Sequence, residues 1–513
     1  MHREPLVRRL LSPEAYPHQV ENVRLVETHI SWVFLTGQHA YKVKKPVNLG
    51  FLDFSTLERR RHFCQEEVRL NRRFAPSLYE AAVPITGSPD KAHVDGSGEA
   101  TEWAVRLAQF DEASRLDRVL DAGELSRDDC DDLARAIADV QDGLGVASLD
   151  TPWGTRKTVA ETIGMNFNTL RVHRSDLSDR IAALEQWVEQ QLAAQHDALA
   201  SRRATGRIRE CHGDLHLANL VRHEGRFVAF DSIEFSEVLR WIDVASDVAF
   251  LAMDLRSRGR NDLAAILMSS WVEASGDHAA TAVLPIYMVY RALVRAVIAA
   301  IRSSQPGADV AAAHAEGDRY LALAETLAAP RPARLYATCG VSGCGKTTLA
   351  RELVAATGAI HLRSDVERKR VFGMQPTDRP ASPEHRDKLY SAAATQQTYE
   401  RLATLAQQIL ASGTSVVIDA ACTSRWQREQ VADAAAKATT SLTWLAPHVP
   451  KHTLLERVAA RLATGLDASD ASPEIVHRQL AAFEPITPEE LAQHPHCRLV
   501  HSVAECTPSQ PLS

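Results

Sequence analysis

No two cysteines of the 513-residue chain stand as CxxC, and none has the close Cys/His spacing of a structural zinc site. The eight thiols, at 64, 130, 211, 339, 344, 422, 497 and 506, read as reduced cysteines, which predicts a cytoplasmic protein. An apolar run of signal-peptide length is missing from the start, MHREPLVRRLLSPEAYP. The most apolar stretch, AVLPIYMVYRALVRAVIAAI, is interrupted by Arg291 and Arg295, so neither export nor a membrane span is expected. Positive charge is in deficit: 58 Lys and Arg against 65 Asp and Glu leave a net charge of −7. That balance supplies no global attraction for nucleic acid or an anionic membrane, although a local basic groove stays open. A track of aromatic and basic residues for a single strand is also lacking. There is no internal repeat of 20 to 50 residues and no long biased tract. What is present, 45% hydrophobic and 24% charged residues, is the composition of a globular protein. At roughly 150 residues per domain the length predicts about three units.

Residues 28–45, THISWVFLTGQHAYKVKK, are two β-rich runs around a Thr-Gly-Gln turn and predict a hairpin. FSTLERRRHFCQEEVRLNRRF predicts a helix with Ser55 as candidate cap, and residues 99–110 predict a further strand. This is a small α+β lobe, 1–111. From 112 to 328 the pattern is mainly helical, broken by polar residues 204–235 with short strands such as RFVAF. LAAPRPAR, residues 327–334, reads as a linker. Beyond it, LYATCGVSGCGKTTLARELV, AIHLRSD, TSVVIDAAC and SLTWLAP alternate strands with helices, which predicts a parallel α/β sheet in a domain spanning 329–513.

GVSGCGKTT fits G-x-x-x-x-G-K-[ST] with Gly340, Gly345, Lys346 and Thr347. The loop Gly340, Val341, Ser342, Gly343, Cys344, Gly345 turns consecutive backbone N–H groups toward phosphate oxygens, with a helix starting at Lys346 and Thr348 a further nucleotide-binding candidate in its first turn. Lys346 neutralises β/γ-phosphate charge, and the Thr347 hydroxyl suits Mg²⁺. Asp365 lies just past the next strand, placed to accept a proton from an attacking hydroxyl; Arg368 is placed to hold an acceptor or the moving phosphoryl. Asp419 ends a third apolar strand, a partner for Mg²⁺ through water. Arg457 and Arg461, four apart on one helix face, can close over the γ-phosphate. Together GVSGCGKT, RSDVERKR, VVIDAA and the arginines around VAARL resemble the small P-loop kinases that include gluconate kinases, chloramphenicol phosphotransferase, zeta toxins and polynucleotide 5′-hydroxyl kinases, over about 334–500. The resemblance implies Asp365 as base and Arg457 or Arg461 as lid residues. The acceptor differs among those relatives and is not implied.

CHGDLHLANL, residues 211–220, holds two histidines four apart around an aspartate, open to reading as a metal clamp, a polar turn or a phosphotransfer loop. His212, Asp214 and Asn219 reproduce the H-R-D-x-x-x-x-N spacing, with Gly213 in place of the arginine, and RFVAF leads to Asp231. The His-Gly-Asp form, with His216 completing HGDLH, resembles the aminoglycoside phosphotransferase-like kinases. That resemblance implies Asp214 as base, Asn219 and Asp231 as Mg²⁺ ligands, His212 supporting the loop and Asp247 bracing it. In AYKVKK, period two places Ala40, Lys42 and Lys44 on one strand face; a small residue two before the lysine favours Lys42 over Lys44 as the phosphate-gripping lysine, with Lys44 beside it among the nucleotide-binding candidates. Glu67 or Glu66 is the candidate ion-pair partner. The phosphate-covering glycine loop is reduced to Thr36-Gly37.

The order of these parts looks like a bacterial fusion group. The resemblance implies an α+β protein-kinase-like bilobal domain followed by an α/β P-loop NTPase domain. The resemblance implies two ATP- and Mg²⁺-dependent phosphotransferase sites, each acting on a small-molecule hydroxyl. A nucleic-acid acceptor is not favoured. A catalytically silent kinase-like half that regulates the P-loop half is the rival reading.

Overall fold

The computed structural model describes residues 4–50, 52–447, 449–464, 472–493 and 497–506, without the side chains of 461–464. The chain packs as two compact units. One comprises residues 1–126 and 136–254, the other 127–135 and 255–513. This packing division cuts two helices, Arg127–Asp142 and Val244–Ser257. Residues 255–328, read from the sequence as part of a helical lobe, pack with the P-loop half.

The first unit opens on an antiparallel sheet of β1 (Arg24–Glu27), β2 (Ser31–Leu35), β3 (His39–Lys44), β4 (Tyr79–Thr86), β5 (His93–Val94) and β6 (Ala100–Ala108), in the order β1-β2-β3-β6-β4-β5. Helix α1 (Leu57–Asn71) joins β3 to β4. Its N-cap is Thr56, whose hydroxyl accepts from the Arg59 N–H at 3.3 Å, and not Ser55. Cys64, Glu67, Val68 and Asn71 recur at i, i+3, i+4 and i+7, so one face of α1 is buried, and Cys64 and Val68 pack with Ala40, Tyr79 and Val105 of the sheet. The same face that supplies this apolar packing carries Glu67 inward. After α2 (Arg127–Asp142), of which only 136–142 belong to this unit, and helices α3 (Arg156–His173), α4 (Ser178–Ala194) and α5 (His196–Ala204), two small antiparallel ribbons frame the HGD loop: β7 (Ile208–Glu210) with β10 (Trp241–Asp243), and β8 (Leu220–His223) with β9 (Arg226–Ala229). α6 (Val244–Ser257) follows.

In the second unit, α7 (Asn261–Ser275), α8 (Leu284–Ser303) and α9 (Val310–Ala328) precede a five-stranded parallel sheet. Its strands β11 (Leu335–Thr338), β12 (Ile360–Arg363), β13 (Val416–Asp419), β14 (Leu442–Leu445) and β15 (Cys497–Val500) run in the order β12-β13-β11-β14-β15. Every residue of β11, β13 and β14 is buried, as expected for strands covered on both faces. The connecting helices are α10 (Lys346–Thr357), α11 (Ser364–Val371), α12 (Ala392–Ala411), α13 (Arg425–Lys437), α14 (Lys451–Thr464) and α15 (Pro473–Ala481). α8 has the length and apolar composition of a membrane span, but 72% of its most apolar window is buried, where it packs mainly against α9.

Candidate functional site

In the first unit, β3, α1 and the segment after β9 converge on one cluster of charge. Lys42 Nζ donates to Glu67 Oε1 at 2.9 Å and also contacts the Asp231 carboxylate. Lys44 Nζ donates to Glu67 Oε2 at 2.6 Å and contacts Glu234. Glu66 points away, pairing with Arg69 on its own helix at 2.8 Å, so Glu67 is the partner of both lysines. Burial alone would push the Glu67 carboxyl up, but Lys42 and Lys44 hold it at about 2. Lys44, expected among the nucleotide-binding residues, is instead fully sealed between two carboxylates. Lys42 is the lysine that reaches Asp231, whose side chain is 46% exposed.

The HGD loop is held from behind. Asp247 accepts from the His212 N–H and the Gly213 N–H, each at 2.9 Å, and Asp254 accepts from the Leu217 N–H at 3.0 Å. The His212 ring donates from Nε2 to the Phe230 carbonyl at 2.9 Å and accepts the Asp214 N–H at Nδ1 at 3.3 Å, which defines its neutral tautomer. Burial lowers its pKa in agreement with that form. The Asn219 amide donates to the Asp214 carboxylate at 3.0 Å, and the Asn219 carbonyl accepts from the Phe230 N–H at 3.0 Å, one residue before Asp231. His216 lies 3.5 Å from Asp214. The histidines thus serve different partners and do not form a clamp; among the described residues no group of three or more His, Cys, Asp or Glu is arranged to hold a metal ion. Asn219 and Asp231 offer oxygen donors, the set that a hard cation such as Mg²⁺ takes. The reduced turn at Thr36-Gly37 has its Gly37 N–H bonded to the Gln109 side chain at 2.9 Å.

In the second unit the loop from Gly340 to Gly345 leaves β11 and enters α10. Gly343 has φ +87°, and a Cβ there would lie 2.7 Å from the Leu454 carbonyl of α14. Thr347 donates to Asp419 Oδ2 at 2.7 Å, and His361 of β12 lies 3.2 Å from the same oxygen. Burial works against ionisation of Asp419, but His361, Arg363 and Lys346 hold its carboxyl well below the usual range. A hydroxyl and an ionised carboxylate again fit Mg²⁺. Lys346 Nζ bonds the Val341 carbonyl at 2.9 Å, and the Ser342 N–H donates to Gln479 of α15 at 2.7 Å. A cavity of about 240 Å³ brings together Lys346, Thr347, Asp365, Arg368 and Asp419. Arg368 is buried, bonded to the Leu389 carbonyl and the Thr395 hydroxyl at 3.2 Å each. Arg457 comes within 3.7 Å of where a Gly345 Cβ would stand. The side chain of Arg461 lies outside the described residues.

A family model described as "Phosphotransferase enzyme family" matches residues 51–284, and one described as "AAA domain" matches 335–486. Uncharacterized proteins of Mycobacterium tuberculosis (strain H37Rv) and Mycobacterium bovis are each 30% identical over 447 residues, covering 86% of this chain and 87% of theirs. The chain belongs to the family of these mycobacterial proteins. It is an ATP-dependent kinase built from a phosphotransferase-family domain and a P-loop kinase domain. Among solved structures, the amicoumacin kinase hAmiN in complex with AMP-PNP, Ca²⁺ and Ami is 14% identical (TM-score 0.41, 63% of this chain, 94% of that one). A choline/ethanolamine kinase family protein from Mesorhizobium loti is 13% identical (0.38, 63% and 98%). A gluconokinase from Sinorhizobium meliloti is 22% identical (0.21, 36% and 87%).

Motif spacing did not reveal several residues that hold this kinase's sites together. Glu234 and His361 each bond a residue that the motifs do name, and Tyr79 and Asn71 accept from the amides of Asp231 and Ser232 at 2.9 Å. The one signal for Glu234 is its position three residues after Asp231.

Proposed function

We propose that each domain is a phosphotransferase moving the γ-phosphate of ATP to a hydroxyl of a small molecule, in the cytoplasm. The observation that carries this reading is that each unit sets a carboxylate suited to take a hydroxyl proton beside a separate oxygen-donor set and a lysine. In the first unit Asp214 accepts the proton, with its carboxylate oriented by Asn219; Lys42, oriented by Glu67, grips phosphate; Asn219 and Asp231 hold Mg²⁺. In the second, Asp365 accepts the proton, Arg368 holds the acceptor or the moving phosphoryl, Thr347 and Asp419 hold Mg²⁺, and the loop 340–348 with Lys346 cradles phosphate. Arg457 and Arg461 close from α14. Mg²⁺ in either place neutralises phosphate oxygens, which is most of what phosphoryl transfer asks of a site.

The decisive experiment is a metabolite-extract screen with γ-labelled ATP, comparing wild type with Asp214→Asn and Lys346→Ala. Two labelled products are expected, each lost in one variant only, with about 10²–10⁴-fold slower transfer for the lost base. If neither variant removes any product, the two-kinase reading fails. The direct Lys42–Asp231 contact and the Gln109 cap on Gly37 favour one second reading, a nucleotide-responsive but silent first domain. Under it Asp214→Asn changes no product while Lys346→Ala removes them all.

A further inference from the structure

Lys44 and Glu234 have no part in the chemistry just described, yet they are among the most deeply buried charges of the first unit, with side chains 0% and 4% exposed. They close an alternating series of five charged side chains: Asp231, Lys42, Glu67, Lys44, Glu234. Its two ends lie three residues apart on one segment, and its middle comes from β3 and α1. The backbone of that segment is fastened residue by residue. The Asp231 N–H donates to the Tyr79 hydroxyl, the Ser232 N–H to Asn71 and the Ile233 N–H to the His212 carbonyl, while the Glu234 carbonyl accepts from Arg240 at 3.0 Å. Asp231 itself sits at φ +63°, a left-handed conformation that a β-carbon-bearing residue keeps only when its surroundings impose it.

A buried ion pair is a poor device for stability, because two well-packed apolar side chains in its place commonly serve as well. What apolar side chains cannot do is share Glu67. Lys44 occupies Oε2, so Lys42 receives only Oε1 and also contacts Asp231. Without Lys44, both oxygens of Glu67 would turn to Lys42 and draw it toward α1. The series holds three carboxylates and two ammonium groups, and the excess negative charge lies toward Asp231, the one open end. Burial raises the Glu234 carboxyl while Lys44 pulls it back, as expected for a pair isolated from water.

We propose that Lys44 and Glu234 are positioning residues of the first site: by fixing one oxygen of Glu67 and the far end of segment 231–234, they set where the Lys42 ammonium stands relative to Asp231. The inference rests on the reading of Lys42 as the phosphate-gripping lysine and Asp231 as a Mg²⁺ carboxylate.

The test measures ATP binding calorimetrically, with and without Mg²⁺, on the full chain carrying Lys346→Ala to remove the P-loop contribution, with thermal unfolding measured in parallel. Lys44→Met and Glu234→Gln are each expected to lose roughly tenfold of the Mg²⁺-dependent affinity, the lower end for groups that orient metal ligands. The double variant Lys44→Met/Glu234→Leu should lose no more than either single one. Its unfolding temperature should recover above both, since no unpaired charge stays buried. Recovery of Mg²⁺-dependent affinity along with stability would overturn the proposal in favour of a structural pair. So would a Lys44→Met loss equal with and without Mg²⁺ alongside an unchanged Glu234→Gln, which marks a direct phosphate ligand. If the single variants fail to fold, Glu234→Asp keeps the charge; it should hold the unfolding temperature and still weaken Mg²⁺-dependent binding, and unchanged binding would count against the proposal. Absence of Mg²⁺-dependent binding in the Lys346→Ala background itself would show instead that the underlying reading of the first site fails, and the proposal with it.

Discussion

The two sites collect charge in opposite ways. The first draws it from side chains far apart in the chain, Lys42 meeting Asp231 across 189 positions. The second, on the function proposed for it, would draw much of its phosphate-facing surface from one contiguous loop, 340–348, and need distant side chains mainly for the metal. Side-chain charge in the first has to be neutralised pair by pair before it can be buried, so its supporting cast is Glu67, Lys44 and Glu234. Backbone N–H groups in the second carry no formal charge, and what supports them is room for the chain to turn. The first should therefore be sensitive to deletion of one ion, the second to addition of one methyl group.

The largest effect should come from that methyl group. In Gly343→Ala the new Cβ would lie 2.7 Å from the Leu454 carbonyl and 3.0 Å from Val458 Cγ2, at φ +87°. The left-handed backbone alone costs about 1–3 kcal/mol, and a displaced phosphate costs roughly 10²-fold in rate. Only the product of the second site should suffer, as read by γ-labelled ATP, with the melting of that unit lowered. Gly213→Ala is the matching change in the first site, its Cβ 2.7 Å from the Leu239 carbonyl at φ +84°. Gly37→Ala, at φ +93° with nothing within 4 Å, should cost least of the three, because only backbone strain remains. An unimpaired second product in Gly343→Ala would show that the backbone is not what holds phosphate there.

The same contrast explains what could be read without coordinates. Both signature loops are contiguous, so His212, Asp214 and Asn219, and Gly340 through Thr348, declare themselves by spacing, as do the strand leading to Asp231 and the strand ending at Asp419. Glu67 against Glu66 was not decidable from spacing, because both lie on one helix and only the buried face distinguishes them; packing of Cys64 and Val68 turns Glu67 inward. Lys44 shares the face of Lys42, so periodicity placed it toward the nucleotide, and only Glu234 from a distant loop shows why it is sealed away. β15 went unread because its four residues show little apolar patterning outside the sheet. Packing groups the chain differently from its motifs, for a similar reason. Prolines mark a break in local structure, whereas which helices pack with the parallel sheet depends on contacts such as the Ser269 hydroxyl accepting the His361 N–H at 2.9 Å and Arg351 bonding Asp128 at 2.8 Å.

A smaller effect separates the sites by how each metal carboxylate is oriented. Asp231 is oriented by a lysine and by its own backbone, but Asp419 by an imidazole, that of His361, and by the Thr347 hydroxyl. His361→Ala should raise the Mg²⁺ requirement of the second site by roughly 10–100-fold, the usual cost of removing a group that orients a metal ligand, and leave that of the first unchanged. A Mg²⁺ titration of each labelled product checks this. An equal shift in both products would mean that the substitution acts through general loss of structure.

The smallest effect expected is on acid stability, and it turns on one buried histidine in each unit. Burial lowers the pKa of both His212 and His278. An unfolded histidine titrates near 6.5, so as pH falls below about 6.5 the unfolded chain gains a proton that the native one refuses. Each histidine thus contributes stability that is complete above that pH and lost as pH falls toward its folded value, at no more than about 1.4 kcal/mol per pH unit. The slopes should differ. A proton on His212 Nδ1 would face the Asp214 N–H, which leaves it no acceptor, although Asp247 and Asp214 attract the charge. His278 bonds the Gly276 carbonyl through Nδ1, and its Nε2 lies 3.5 Å from Glu367, a carboxylate ready to receive a charged ring, though Arg370 and Arg401 beside it oppose that. Denaturant unfolding between roughly pH 7 and 5 should therefore show a loss of stability that His212→Gln flattens more than His278→Gln does. The reverse order would mean that the arginines around Glu367 outweigh it, and that the second unit holds the more strongly depressed histidine.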